Sequence, residues 1–99
     1  MQSLGELLPG VLRGLGLERE LKGWQAVEVW ADAVGPAIAR RTRAVSYHDG
    51  ALMVEVEGSA WRHELGYLER DLVSRVNERL GSALVKRLRF TITRGGIRR

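Results

Sequence analysis

The chain has 99 residues, no cysteine and a formal net charge of +4. One domain is the default at this length, with enough interior for a single core, and the lack of cysteine excludes disulfides and thiolate metal sites and suits a cytoplasmic setting. No apolar run approaches the ~20 residues of a membrane span, and the opening MQSLGELLPG, with no basic stretch, does not read as a secretory leader.

The charge is unevenly placed. Residues 1–35 carry three basic and five acidic residues, whereas 36–99 carry thirteen basic and seven acidic. Residues 86–99 hold Lys86, Arg87, Arg89, Arg94, Arg98 and Arg99 with no acid. Every basic residue except Lys22 and Lys86 is arginine. Forked guanidinium groups grip phosphate and stack on bases, so the bias favours a nucleic-acid or acidic-protein partner. Solubility and a high-GC genome produce the same bias, so composition leaves both readings open.

In chain order, Ser3-Leu4-Gly5-Glu6 matches a capping box. Leu4, Leu7, Leu8, Val11, Leu12 and Leu15 follow at helical spacing, with Pro9 as a kink or restart and Gly14 and Gly16 as the end. A second helix is predicted over 17–34, with Leu21, Trp24, Val27, Trp30, Ala31 and Val34 on one side. Gly35-Pro36 stops it, with Gly35 as a left-handed cap, and 36–41 reads as one or two further turns. Residues 43–48 read as a strand with Val45 and Tyr47 on one face. His48-Asp49-Gly50-Ala51 is a hairpin turn, because Asp-Gly tolerates the positive φ angles that tight hairpins need.

Residues 51–57 alternate Leu52, Val54 and Val56 with Met53, Glu55 and Glu57, which is the period of a half-buried strand. Ser59 is read as the cap of a long helix over 60–80, whose stripe is Trp61, Leu65, Leu68, Leu72, Val76 and Leu80. Asp71 and Arg75 form a favourable i, i+4 pair on it, and Gly81 ends it. A last strand over 84–93 turns Leu88, Phe90 and Ile92 inward and Arg87, Arg89, Thr91 and Thr93 outward. The expected class is therefore α+β, in the order α-α-β-β-α-β, with one domain over 1–93 and a basic tail over 94–99. Three strands cannot enclose a core, so the helices must cover one face of the sheet. The other face would carry Met53, Glu55, Glu57, Arg87, Arg89 and Thr91.

Catalytic signatures are not found. His48 and His63 lack metal-ligand spacing, Gly14-Leu15-Gly16 follows no strand, and no phosphate-binding loop occurs. Ser59 has no nucleophile-elbow setting. The chain reads as a non-enzyme without a cofactor.

A wider series does stand out. Trp30, Val34-Gly35, Ile38-Ala39 and Thr42 are followed by Gly50-x-Leu52-x-Val54-x-Val56, Ser59-x-Trp61 and Glu64-Leu65. Leu72, Val76-Asn77, Leu80-Gly81, Val85 and Leu88-x-Phe90 close it. This ordered set resembles the bacterial DciA family over roughly residues 4–93. The resemblance implies a KH-like fold, a role in DNA replication, and association with the ring-shaped replicative helicase DnaB during its loading on single-stranded or forked DNA. It further implies a cytoplasmic, nucleoid-associated protein that acts without hydrolysing ATP. Gly35-Pro36-Ala37-Ile38 does not supply the G-x-x-G clamp of RNA-binding KH domains, so that mode of recognition does not carry over.

Two readings of function follow from these features. One is a helicase adaptor with auxiliary DNA affinity, expected as a monomer. The other is a general single-stranded DNA- or RNA-binding domain. The residues expected to meet phosphate are Arg40, Arg41, Arg43, Lys86, Arg87, Arg89 and Arg94. Tyr47 and Trp61 are the expected partner contacts or stacking platforms. Trp30 is assigned to the core.

Overall fold

A computed structural model of the chain describes residues 17–93. The helix predicted over residues 3–15 and the basic tail lie outside them. The elements are α1 (Leu17–Val34), α2 (Pro36–Ala39), β1 (Thr42–His48), β2 (Ala51–Glu57), α3 (Ser59–Tyr67), α4 (Glu69–Leu80) and β3 (Arg87–Thr93). The sheet order is β1-β2-β3, with the first pair antiparallel and the second parallel. The helices pack on one sheet face, which is the expected α+β arrangement.

The β1–β2 turn follows from its sequence. Asp49 has φ 45° and Gly50 φ 84°, the positive pair that a two-residue hairpin needs. Beyond the turn the register is less simple. It runs regularly from His48↔Ala51 to Ser46↔Met53, then shifts at a bulge between Ala44 and Ser46. The extra residue is Val45, which is only half-buried, and the inward set is Thr42, Ala44 and Tyr47. The expected pairing of Val45 with Tyr47 on one face is corrected by that bulge, since one added residue breaks the alternation.

The α1 helix has the expected bounds but a rotated buried face. Gly23, Ala26, Trp30 and Val34 point inward, while Leu21 and Trp24 are 53% and 46% exposed and Ala31 is exposed. The small residues Gly23 and Ala26 stand on this face, and Gly23 lets α1 approach β1 closely. A Cβ on Gly23 would overlap the Tyr47 ring. Gly35 has the expected positive φ of 88°, but its ψ of 164° is extended rather than left-handed, and it precedes α2 as the N-cap.

The long helix expected over 60–80 is two helices. Leu68 sits between them at φ −96°, ψ 1°, and its N–H donates to the Leu65 carbonyl at 3.0 Å, a tightened i−3 turn. Gly66, a poor helix former, is the only local signal for this break. Leu65, Leu72 and Val76 remain fully buried, Trp61 and Leu80 are half-buried, and Leu68 is 40% exposed at the junction. Gly58 is the N-cap of α3, with φ 95° and no side-chain cap bond, and Ser59 is the first helical residue. The capping role expected for Ser59 is thus taken by a glycine, because the chain turns at a positive φ. Gly81 closes α4 in the left-handed conformation, as expected, with its N–H on the Asn77 carbonyl at 2.8 Å.

The connection from α4 to β3 is pinned at three successive residues. The Tyr47 hydroxyl donates to the Leu84 carbonyl at 3.0 Å. The Asn77 side chain exchanges two hydrogen bonds with Val85. The N–H of Lys86 donates to the Gly50 carbonyl at 2.7 Å. This last bond delays the strand, which begins at Arg87 rather than at the expected residue 84. Leu88 is buried and Phe90 half-buried, but Ile92 is 43% exposed, so the inward row loses its cover toward its end. Burying one large side chain such as Leu52 or Leu72 contributes roughly 1.5–3 kcal/mol.

Candidate nucleic-acid and partner interface

The face of the sheet that the described helices leave open carries the charged side chains, in rows set by the register. Arg43, Glu55 and Thr91 form one row, and Ser46, Met53 and Arg89 the next. Arg43 sits against Glu55 through Nε at 3.0 Å and through NH2 at 2.8 Å. Arg41 meets Glu57 at 2.9 Å. Its guanidinium carbon also lies 5.9 Å from the centre of the Trp61 ring, within cation–π range. Trp61 is half-buried at the start of α3, with the Arg41 guanidinium over its ring.

The predicted arginine cluster is therefore divided. Arg41 and Arg43 face acids across the hairpin. Arg40 lines a different depression with Asp32 and Pro36, at the α1–α2 corner. A phosphate reaching Arg41 or Arg43 must compete with a carboxylate already in place, which weakens its hold.

The second predicted group is differently placed. Arg87 and Arg89 are exposed on the open face. Arg87 donates to the Asp49 carbonyl at 3.0 Å, a neutral partner that leaves its charge uncompensated. Lys86 lines a groove of about 430 Å³ with Gly66, Tyr67, Glu69, Arg70 and Val73. Arg70 was not predicted as part of this site. It reads from sequence as an ordinary helix-surface cation, and only the parallel pairing of β3 brings it near Lys86. Arg94 lies outside the described residues.

Tyr47 must be corrected as a stacking platform. It is 3% exposed, its ring lies against Gly23, and its hydroxyl is used on Leu84. No ring face is left for a base, because the helix above it is glycine at the point of contact. Trp30 is a core residue, 2% exposed, and its Nε1 donates to Thr42 Oγ1 at 2.9 Å.

Among the described residues no cluster of three or more His, Asp or Glu side chains is placed to hold a metal ion. Among them, too, no helix is long and apolar enough to cross a membrane. The described surface offers a charged sheet face and shallow grooves on a small α+β domain.

Comparison with known proteins gives the domain a family. The family model described as "Dna[CI] antecedent, DciA" matches residues 3–90. The chain belongs to the DciA family. It is 26% identical over 89 residues to a UPF0232 protein of Corynebacterium glutamicum strain R, covering 90% of this chain and 50% of the relative. It is 26% identical over 90 residues to a UPF0232 protein of Rhodococcus jostii strain RHA1, covering 91% and 48%. A UPF0232 protein of Mycobacterium tuberculosis strain H37Rv matches with the same identity and coverage, 26% over 90 residues, 91% and 48%. The chain thus spans about half the length of the curated relatives it matches.

Proposed function

We propose that this domain is a non-enzymatic DNA-replication accessory module that binds the replicative helicase DnaB and assists its placement on single-stranded DNA. The observation that carries the reading is the DciA family match, which takes in residues 3–90. Auxiliary contact with nucleic acid is assigned to Lys86, Arg87 and Arg89, whose charges face no carboxylate partner among the described ion pairs. The half-buried Trp61, with Arg41 above it, is the aromatic position assigned to a protein contact. Tryptophan and arginine are the residues that most often dominate such contacts.

The test is interferometry of this chain against DnaB from the same organism. Saturable binding on the order of tens of micromolar or tighter is expected, and its absence would sink the helicase reading. The unpaired cations of β3 also favour a second reading, a general single-stranded DNA- or RNA-binding domain. A salt titration separates the two. Nucleic-acid affinity falls steeply with salt as counterions are released, whereas an apolar protein contact does not.

A further inference from the structure

Along β3 the backbone groups of alternate residues point to opposite edges. Arg87 donates to the Gly50 carbonyl at 3.1 Å. With the parallel register from Arg87↔Ala51 to Thr93↔Glu57, this turns Arg87, Arg89, Thr91 and Thr93 toward β2. The N–H and C=O groups of Leu88, Phe90 and Ile92 therefore point the other way. Among the described residues that edge ends the sheet. At its first rung the Leu88 N–H is taken by Glu69 Oε2 at 2.9 Å. No hydrogen bond among the described residues reaches the outward groups of Phe90 or Ile92.

The side chains at this edge sort into two rows. On the helix side, Phe90 is half-buried and Ile92 is 43% exposed, although Ile92 pairs in register with the fully buried Val56. On the open side stand Arg87 and Arg89, and Lys86 and Arg70 flank the groove beside Glu69. Glu69 is the only acid among the described residues lining that groove, and it is already engaged by the Leu88 N–H. Native proteins usually blunt an exposed edge, and among the described residues the blunting stops after one rung.

We propose that the Phe90–Ile92 edge of β3 receives an extended acidic segment of a partner protein, added as a fourth strand. Its side chains alternate, with acids toward Arg87 and Arg89 and apolar groups toward Phe90 and Ile92. Main-chain bonds supply affinity in this mode and the alternate side chains supply specificity. Glu69 sets the register by closing the edge at Leu88. Charge complementarity selects this occupant over a second copy, whose β3 would bring further arginines against these. The proposal stands whether or not the helicase supplies the strand.

The test is an NMR titration of the full chain with a short, end-blocked peptide alternating glutamate and valine. Slowed amide exchange is expected at Phe90 and Ile92. Ile92→Pro removes an outward N–H without touching the β2 ladder and is expected to bind about tenfold more weakly. Arg89→Glu, an exposed change that leaves the core intact, is expected to lose about tenfold at low salt and to gain affinity for a lysine–valine peptide. Unchanged affinity in Arg89→Glu, or protection centred on other amides, would overturn the proposal. So would protection of the same amides by oligothymidylate in preference to the peptide. Protection that rises with protein concentration alone would assign the edge to a second copy and overturn it too.

Discussion

Asn77 uses both ends of its side-chain amide on one residue: Nδ2 donates to the Val85 carbonyl at 2.9 Å, and Oδ1 accepts from the Val85 N–H at 3.0 Å. The side chain thus imitates a strand partner for a residue that has none, and it aims the chain into β3. Val85 is 1% exposed, so neither backbone group can turn to water. Asn77→Ala is expected to cost about 2–4 kcal/mol, because two buried groups lose their partners together. Urea denaturation monitored by circular dichroism measures this. A loss under about 0.5 kcal/mol would mean that water takes over both bonds.

Thr42 joins β1 to two helices. It accepts from Trp30 Nε1 at 2.9 Å and donates to the Ile38 carbonyl at 2.8 Å. At 1% exposure it is the one buried polar side chain among the described residues. Thr42→Val keeps the shape and removes both bonds, with an expected cost of about 2–3 kcal/mol. Thermal denaturation reads the cost. The indole N–H exchange of Trp30 should quicken in the same variant. In a Trp30→Phe background much of the penalty should disappear, since the indole donor is then gone too.

Gly23 lies under the Tyr47 ring, in the interior of α1. Alanine there would gain about 0.5–1 kcal/mol from backbone entropy. It would also force the ring aside, and overpacking of that kind costs about 1–3 kcal/mol. The ring cannot move cheaply, because its hydroxyl is held on Leu84. Gly23→Ala is therefore expected to destabilise the domain, and Tyr47→Leu to relieve part of the loss in the double variant. A Gly23→Ala protein more stable than its parent would show that the ring yields.

The elements whose signals are local were legible in the sequence. The Asp49-Gly50 hairpin, the alternation of β2, the stop at Gly35-Pro36 and the Gly81 cap each depend on a few neighbouring residues, and each was found in place. What was hidden depends on contacts made at a distance. The bulge at Val45 changes the partner of Arg43 from Val56, which a simple count from the turn would give, to Glu55. That single shift turns an expected phosphate ligand into half of an ion pair. The predicted stripe of α1 keeps Trp30 and Val34 but is rotated at its start, because Gly23 carries no hydrophobic signal whereas the exposed Trp24 and Leu21 do. The break at Leu68 was invisible because its leucine fits the stripe on either side. Tyr47 alternates as a strand residue should, and nothing local says that its hydroxyl would be used on a loop 37 positions away.

The division of the arginines makes the nucleic-acid contact open to a charge-balanced test. Deleting an arginine alone leaves its glutamate exposed, so a fall in affinity could reflect repulsion and not a lost contact. Deleting the pairs Arg41→Ala/Glu57→Ala and Arg43→Ala/Glu55→Ala together leaves the net charge unchanged. Binding to single-stranded DNA should then change by less than about threefold, since surface ion pairs contribute little. Lys86→Ala/Arg87→Ala/Arg89→Ala removes cations that face no acid in the described ion pairs. Each phosphate contact on a single strand contributes about 0.7 to the slope of log affinity against log salt, so the triple variant should flatten it by about 2. Fluorescence anisotropy with oligothymidylate across a salt series measures both sets. A greater loss from the paired deletions than from the triple variant would move the contact to the hairpin and away from β3.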